Sequence, residues 1–326
     1  MFAVYAHAIN PEDPLSALSV GEIEQPETPP DWVNVNVKAA SLNHHDLWSL
    51  KGQALKADRV PMILGSDASG VTDDGREVVV HAVIGSEQKI GDRILDETMD
   101  SRRTLLSELY PGTLAEIVRV PARNLVDKPA GISFEQAACL PTAYLTAYRM
   151  LAHRSNTQPG DTVLIQGAGG GVATAAILIG KALGLHVWVT SRDQGKADAA
   201  IALGADQAFE SNGKLPGKVD AVIETVGEAT WAHSLRSLRP GGTIVVSGAT
   251  SGAMPPADLN RVFFLQLSIN GSTMGSISDF AEMLELMDRT NTYPVIDSVR
   301  PMREARSAFA DMLHGNVNGK LVLVND

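Results

Sequence analysis

Two short stretches of this sequence carry groups that can do chemistry. In the first, Val163-Leu164-Ile165-Gln166 runs into Gly167-Ala168-Gly169-Gly170-Gly171, and Val172, Ala175, Ala176, Ile179, Ala182 and Leu183 then recur at helical spacing. A buried strand, a glycine turn and a helix in that order offer a diphosphate close backbone approach, unpaired N–H groups and the positive end of a helix dipole. Dinucleotide binding is therefore expected, ahead of glycines that only pack a helix on a strand. The second stretch is Asn43-His44-His45-Asp46. An imidazole titrates at about pH 6.5 and can give or take a proton near neutrality, while an amide beside it can hydrogen-bond a substrate oxygen.

A metal is the competing use of His44, His45, Asp46 and Asp67, since imidazole and carboxylate are competent ligands. Neighbouring side chains on an extended backbone point apart, so the two histidines are not expected to face one ion, and no metal site is assigned. The plain alternative is that both histidines are surface or structural residues.

The end of the next strand, Val189-Thr190-Ser191-Arg192, bears on the choice of dinucleotide. An acidic residue about 20 positions after the first glycine binds the ribose 2′-OH of NAD, whereas a 2′-phosphate needs a cation and no carboxylate. Ser191 stands at the acidic position, Arg192 can fork onto a phosphate and Lys196 follows, so NADPH is expected over NADH. Asp193 is the counter-argument, because it could pair with Arg192 instead.

Elements that would position these groups follow from the pattern. Up to about Leu125 the chain reads as short strands and turns, at Phe2 to Ala8, Trp32 to Val37, Val78 to Ile84 and Leu114 to Val120. A charged stretch from Gly91 to Pro111 reads as a solvated face, with a lid or specificity loop as the alternative. Ser133 and Gln136 have the spacing of a capping box for a helix running towards Met150. Strands and helices then alternate from Val163 to Ser247, Arg239-Pro240-Gly241-Gly242 reading as a turn, and the economical fold is a doubly wound parallel sheet. Further elements follow to Val324, and the last strands are expected to return to the first domain.

Length and composition set the outer limits. The 326 residues, 44% hydrophobic and 20% charged, suffice for two domains, and a net charge of −11 argues against nucleic acid or an anionic membrane as partner. The lone cysteine, Cys139, excludes an intrachain disulfide and fits a cytoplasmic setting, and no apolar run approaches the length of a membrane span.

Several segments together resemble the medium-chain dehydrogenase/reductases, and among them the zinc-free quinone oxidoreductase-like branch. They are Ser41 to Asp46, Pro61 to Gly70, Gly112 to Glu116, Ala137 to Tyr148, the glycine turn, and Asn318-Gly319-Lys320. The resemblance implies a GroES-like catalytic domain from residues 1–124 and 266–326, with a Rossmann domain at 125–265 between them. Where zinc-dependent members place their catalytic ligands, this chain has Asn43, Ser66 with Asp67, and Thr142, and the cysteines of the structural zinc lobe are missing. His45 takes the place of the proton-relay hydroxyl. Cofactor contacts are implied at Thr142, at Gly167, Gly169, Gly170, Gly171 and Val172, at Thr225-Val226-Gly227 and Ser247-Gly248, and at Asn318 and Lys320. A homodimer is implied as well.

The activity expected is hydride transfer from NADPH to a quinone, a conjugated enone or a related carbonyl, without zinc. Asn43, His44 and His45 are the candidates to stabilise the substrate oxygen, with Asp46 beside them, and the proton comes from His45 or from water. A zinc alcohol dehydrogenase with unusual ligands and an NADPH-binding protein with little turnover are the alternatives.

Overall fold

The computed structural model describes residues 1–86, 89–90, 93–94 and 96–325, with backbone alone at 89–90 and 93–94. Gly91 and Asp92 of the charged stretch lie outside the described residues. The chain forms two compact units. One comprises Met1–Thr142, Ser276–Ala281 and Tyr293–Asp326, and the other Ala143–Gly275 and Glu282–Thr292.

The second unit holds a six-stranded parallel sheet in the order Gln207–Glu210, His186–Ser191, Thr162–Ile165, Val219–Glu224, Leu238–Val246, Ser268–Gly271. Its sixth strand lies beyond residue 265, where the sequence boundary was drawn. The strands read as near-continuous apolar runs because helices cover both faces of such a sheet. Leu164, Val222 and Ile244 from neighbouring strands pack with Trp231 and Leu235 of the helix Glu228–Ser237. Each such buried side chain stabilises the fold by roughly 1.5–3 kcal/mol. Arg239 to Gly242, expected as a turn, instead bulge within a strand, between the pairs Val219↔Leu238 and Ala221↔Thr243.

The first unit is β-rich. A seven-stranded sheet runs Leu125–Asp127, Glu77–Val80, Asp67–Thr72, Val33–Ser41, Lys320–Val324, Ile296–Pro301, and Ile117–Val120 also pairs with Val33–Ser41. Phe2–Ala6 pairs separately with Leu18–Glu22 and Met62–Ile63. The C-terminal strand thus returns to the N-terminal sheet, and its register matters: Ser41 lies opposite Asp67 on one side and Val322 on the other. Residues 41–43, 67 and 320 are thereby brought together from three distant parts of the chain.

Ser133 and Gln136 form the expected capping box, Gln136 N donating to Ser133 Oγ at 3.2 Å and Ser133 N to Gln136 Oε1 at 3.0 Å. The helix beyond is not regular: it carries π-helical turns at Leu140–Tyr144 and Arg149–Arg154. Among the described residues, no helix is long and apolar enough to cross a membrane.

Candidate active site

In the β-rich unit, the four positions matching catalytic zinc ligands form one hydrogen-bonded cluster. Asn43 Nδ2 donates to Asp67 Oδ2 at 2.9 Å and to Ser66 Oγ at 3.2 Å, and Ser66 Oγ lies 3.1 Å from Thr142 Oγ1. Ser41 Oγ donates to Asp67 Oδ2 at 2.8 Å. The Lys320 ammonium sits among them, donating to Asn43 Oδ1 at 2.6 Å, Leu42 O at 2.7 Å and Asp67 Oδ2 at 3.2 Å. Lys320 is 2% exposed and Asp67 fully buried, so this charge pair is closed to water. All three ammonium hydrogens are used inside the unit, which assigns Lys320 to this cluster rather than to a cofactor contact. The Asn43 amide is likewise spent, leaving no hydrogen for a substrate oxygen. Of the two hydroxyl hydrogens on Ser66 and Thr142, one is used between them. With Ser66 the donor, the hydrogen of the half-buried Thr142 stays available to a ligand.

His44, His45 and Asp46 open the helix His44–Leu50, a stretch to which the sequence pattern assigns no element. Both oxygens of the buried Asp46 accept backbone N–H groups, Oδ2 from Asn43 at 2.8 Å and Oδ1 from Gly65 at 3.0 Å. Asp46 therefore fixes the helix start and has no free oxygen for catalysis. Burial pushes its carboxyl up to about 6, with Asp67 adding to the rise and His45, the Asn43 N–H and Lys320 opposing it. His44 reaches the surface of the unit with its ring edge-on to Trp48, where the protein packed around it still desolvates the imidazole and, with the Lys320 and Lys51 charges, lowers it.

His45 points elsewhere. Its Nε2 lies 3.1 Å from Glu108 Oε1, while its Nδ1 is buried without a partner. Burial alone would raise the Glu108 carboxyl, but His45, the Leu105 N–H at 3.0 Å and the Thr104 hydroxyl together hold it below the usual range. An ionised carboxylate only accepts, so Nε2 carries a hydrogen towards Glu108. Glu108 belongs to the stretch read from sequence as a solvated face, and so do Glu97 and Asp100. Glu97 bonds His81 Nε2 at 2.9 Å and Ile277 N at 2.6 Å, and Asp100 accepts from Ser86 N at 2.6 Å. These three carboxylates are paired, Asp100 buried and Glu97 and Glu108 half-buried, while Arg102 and Arg103 are exposed. Cys139 is also buried, its Sγ 3.2 Å from Glu135 O, and burial pushes the thiol up to about 12.

In the parallel-sheet unit, Gly167 has φ +89°, in the left-handed region that favours glycine, and Gly170 caps the twelve-residue helix Gly171–Ala182 with no side-chain cap on the helix N–H groups. A Cβ at Gly170 would meet nothing within 4 Å, so the turn is open on that side. At Gly169 a Cβ would fall 2.7 Å from Lys196 Cδ, which places the Lys196 stem on the turn. Ser191 bonds within its own loop, accepting from Asp193 N at 3.1 Å. Asp193 caps the next helix, its Oδ1 accepting from Lys196 N at 2.8 Å, and Arg192 is exposed with no ion pair among the described residues. Thr225-Val226-Gly227 and Ser247-Gly248 follow the neighbouring strands, and Gly227 (φ +91°) admits no side chain because a Cβ would lie 2.4 Å from Gly252 O.

Comparison with known proteins decides the family. Residues 29–130 match the alcohol dehydrogenase GroES-like domain and residues 171–289 the zinc-binding dehydrogenase family. A zinc-type alcohol dehydrogenase-like protein of Schizosaccharomyces pombe is 31% identical, the alignment covering 96% of this chain and 98% of that protein. The chain belongs to the medium-chain dehydrogenase/reductases. Quinone oxidoreductase of Mus musculus, in the same superfamily, is 27% identical over 90% of this chain and 88% of its own. A crystal structure of an NAD-dependent alcohol dehydrogenase superposes with a TM-score of 0.91 at 33% identity, covering 100% of both chains.

As a medium-chain dehydrogenase/reductase, the chain is an oxidoreductase of a family that uses NAD(P)H, with a GroES-like unit and a Rossmann-like parallel sheet. The open glycine turn and unfilled helix N-terminus fit a dinucleotide diphosphate. Asn318 stands beside the Lys320 strand: its N donates to Asp297 Oδ1 at 2.8 Å and its own Oδ1 is buried without a partner.

Proposed function

We propose that this protein is a zinc-independent, NADPH-dependent reductase acting on a quinone, a conjugated enone or a related carbonyl. The observation that carries this reading is the filled cluster at the zinc positions. Protein zinc sites are built from thiolate, imidazole and carboxylate. Here the same positions offer an amide, two hydroxyls and one carboxylate, and the Lys320 ammonium already bonds Asn43 Oδ1 and Asp67 Oδ2. A dication would have to displace a buried cation.

When bound, NADPH supplies the hydride. The glycine turn and the first turn of Gly171–Ala182 hold the diphosphate, and the unpaired Arg192 guanidinium with Lys196 supports the choice of a 2′-phosphate. Ser191 leaves no carboxylate to repel it. On the substrate side, His45 holds the proton. Glu108 fixes its Nε2, which leaves the buried Nδ1 as the nitrogen to serve the substrate. His44 and the Thr142 hydroxyl are the remaining donors for a developing oxyanion. A quinone needs no protein acid.

A homodimer belongs to the same reading. It is supported by the exposed Leu259, Phe263 and Phe264 on one helix and Ile269 on the edge strand of the parallel sheet. Sedimentation of Phe264→Glu should show monomer where the wild type shows dimer, and a monomeric wild type refutes it. The activity itself is tested by single-turnover mixing with quinones, enones and aldehydes. Tight NADPH binding with no oxidation by any of them would favour a binding protein with little turnover.

A further inference from the structure

Beneath the glycine turn, the parallel-sheet unit buries a continuous chain of polar side chains. Gly167 N donates to Thr190 Oγ1 at 3.2 Å, and Thr190 Oγ1 donates to Gln166 Oε1 at 2.7 Å. Gln166 Nε2 donates to His233 Nδ1 and to Ser234 Oγ, each at 2.9 Å. Ser234 Oγ donates to Glu224 Oε2 at 2.6 Å, and Glu224 Oε1 accepts from Val226 N at 2.8 Å and Gly227 N at 3.0 Å. Gln166 is 1% exposed, and Thr190, Ser234 and Glu224 are fully buried.

The direction of every bond is fixed by the two ends. Glu224, as a carboxylate, can only accept, so the Ser234 hydroxyl donates to it and receives from Gln166 Nε2. Gly213 O can only accept, so His233 Nε2, at 2.9 Å, carries the ring hydrogen and leaves Nδ1 as the acceptor. The Gln166 amide then has one orientation, with Oε1 towards Thr190, and the Thr190 oxygen is free to receive Gly167 N–H. A side chain that uses its whole amide this way ties two backbone turns to one rigid frame.

We propose that Gln166 is the positioning residue of the dinucleotide site, locking the turn at Gly167 and the turn Thr225-Val226-Gly227 into the arrangement that meets the cofactor. The inference rests on dinucleotide binding by this unit, and not on the choice of NADPH or of any acceptor. Preorganisation of this kind lowers the cost of binding without adding a contact to the ligand.

Two variants test it, with NADPH and NADH titrated calorimetrically into the full-length protein and thermal melting as the control for folding. Gln166→Leu keeps the volume but abandons Thr190, Ser234 and His233, and should weaken binding about tenfold or more at every pH. Gln166→Glu keeps the acceptor for Thr190 but turns a second acceptor towards His233 Nδ1 and Ser234 Oγ. Its carboxylate can be satisfied once His233 gains a proton, so its affinity should recover as the pH falls, which a packing role would not produce. The charged groups facing His233 are Glu224, which favours that proton, and Arg236, which opposes it, while burial holds the wild-type ring below its ordinary value.

Weak binding by both variants with acid recovery of Gln166→Glu upholds the proposal. Affinity within about twofold of wild type in folded variants overturns it. Should Gln166→Leu fail to fold, a loss in Gln166→Glu that ignores pH overturns it too. A wild type that binds neither dinucleotide overturns the dinucleotide reading and this inference with it, an outcome distinct from the others.

Discussion

Replacing Lys320 by Met removes the ammonium from a site that water does not reach while keeping most of the stem's volume. Leu42 O and Asn43 Oδ1 lose the ammonium that bonds them at 2.7 and 2.6 Å, and Asp67 Oδ2 loses one of three donors, at 3.2 Å, keeping Ser41 Oγ and Asn43 Nδ2. Asp67 Oδ1 has no partner even in the wild type, so the variant leaves a buried carboxylate without its counter-charge. Breaking a buried ion pair from one side costs about 3–5 kcal/mol. At about 2–4 °C per kcal/mol for a unit of this size, the melting midpoint of the β-rich unit should fall by about 6–20 °C in differential scanning calorimetry. Asp67→Asn added to Lys320→Met should return part of that loss, a coupling of about 1.5–3 kcal/mol, because the stranded charge is gone. A Lys320→Met midpoint within about 2 °C of wild type, or strict additivity of the two substitutions, would refute the closed charge pair.

Three further outcomes follow from the same geometry. Glu108→Gln removes the carboxylate that fixes His45 Nε2, and single-turnover reduction of enones and aldehydes should slow about 10–100-fold while quinone reduction holds; equal losses on both acceptor classes would exclude the proton-relay role. Asp46 has a folded-state value of about 6, above the roughly 3.9 of an unfolded aspartate, so its stabilising contribution is complete below about pH 4 and is lost as pH rises to about 6. Urea melts should show wild type losing about 3 kcal/mol relative to Asp46→Asn across that window, and parallel profiles would contradict the raised value. Arg192→Ala should weaken NADPH about 10–100-fold and leave NADH nearly unchanged in fluorescence titrations, whereas equal effects on both would detach Arg192 from the 2′-phosphate.

The glycine turn was legible in the sequence because its signal is local: an apolar strand, the glycines and a helix lie within some twenty consecutive residues. The return of the last strand was legible only as an expectation, and its register, which brings Lys320 to Asp67, was not. The helix His44–Leu50 is seven residues long, too short to display a hydrophobic period, so it was not legible from the pattern. Glu108 escaped because its partner His45 is 63 residues away, and a charged stretch looks the same whether its charges face solvent or bond one another. Gln166 offered one clue, a polar residue closing the apolar run Val163-Leu164-Ile165, yet its partners Thr190, His233 and Ser234 are set by the sheet order.

The central claim is that this member of the family reduces its acceptor with NADPH and without zinc. Its most direct test is steady-state turnover of one protein preparation with NADPH and NADH in parallel, before and after chelation, with the metal content measured on the same sample. Substoichiometric zinc, turnover unchanged by chelator and a clear preference for NADPH are expected. Stoichiometric zinc whose removal abolishes turnover would contradict it.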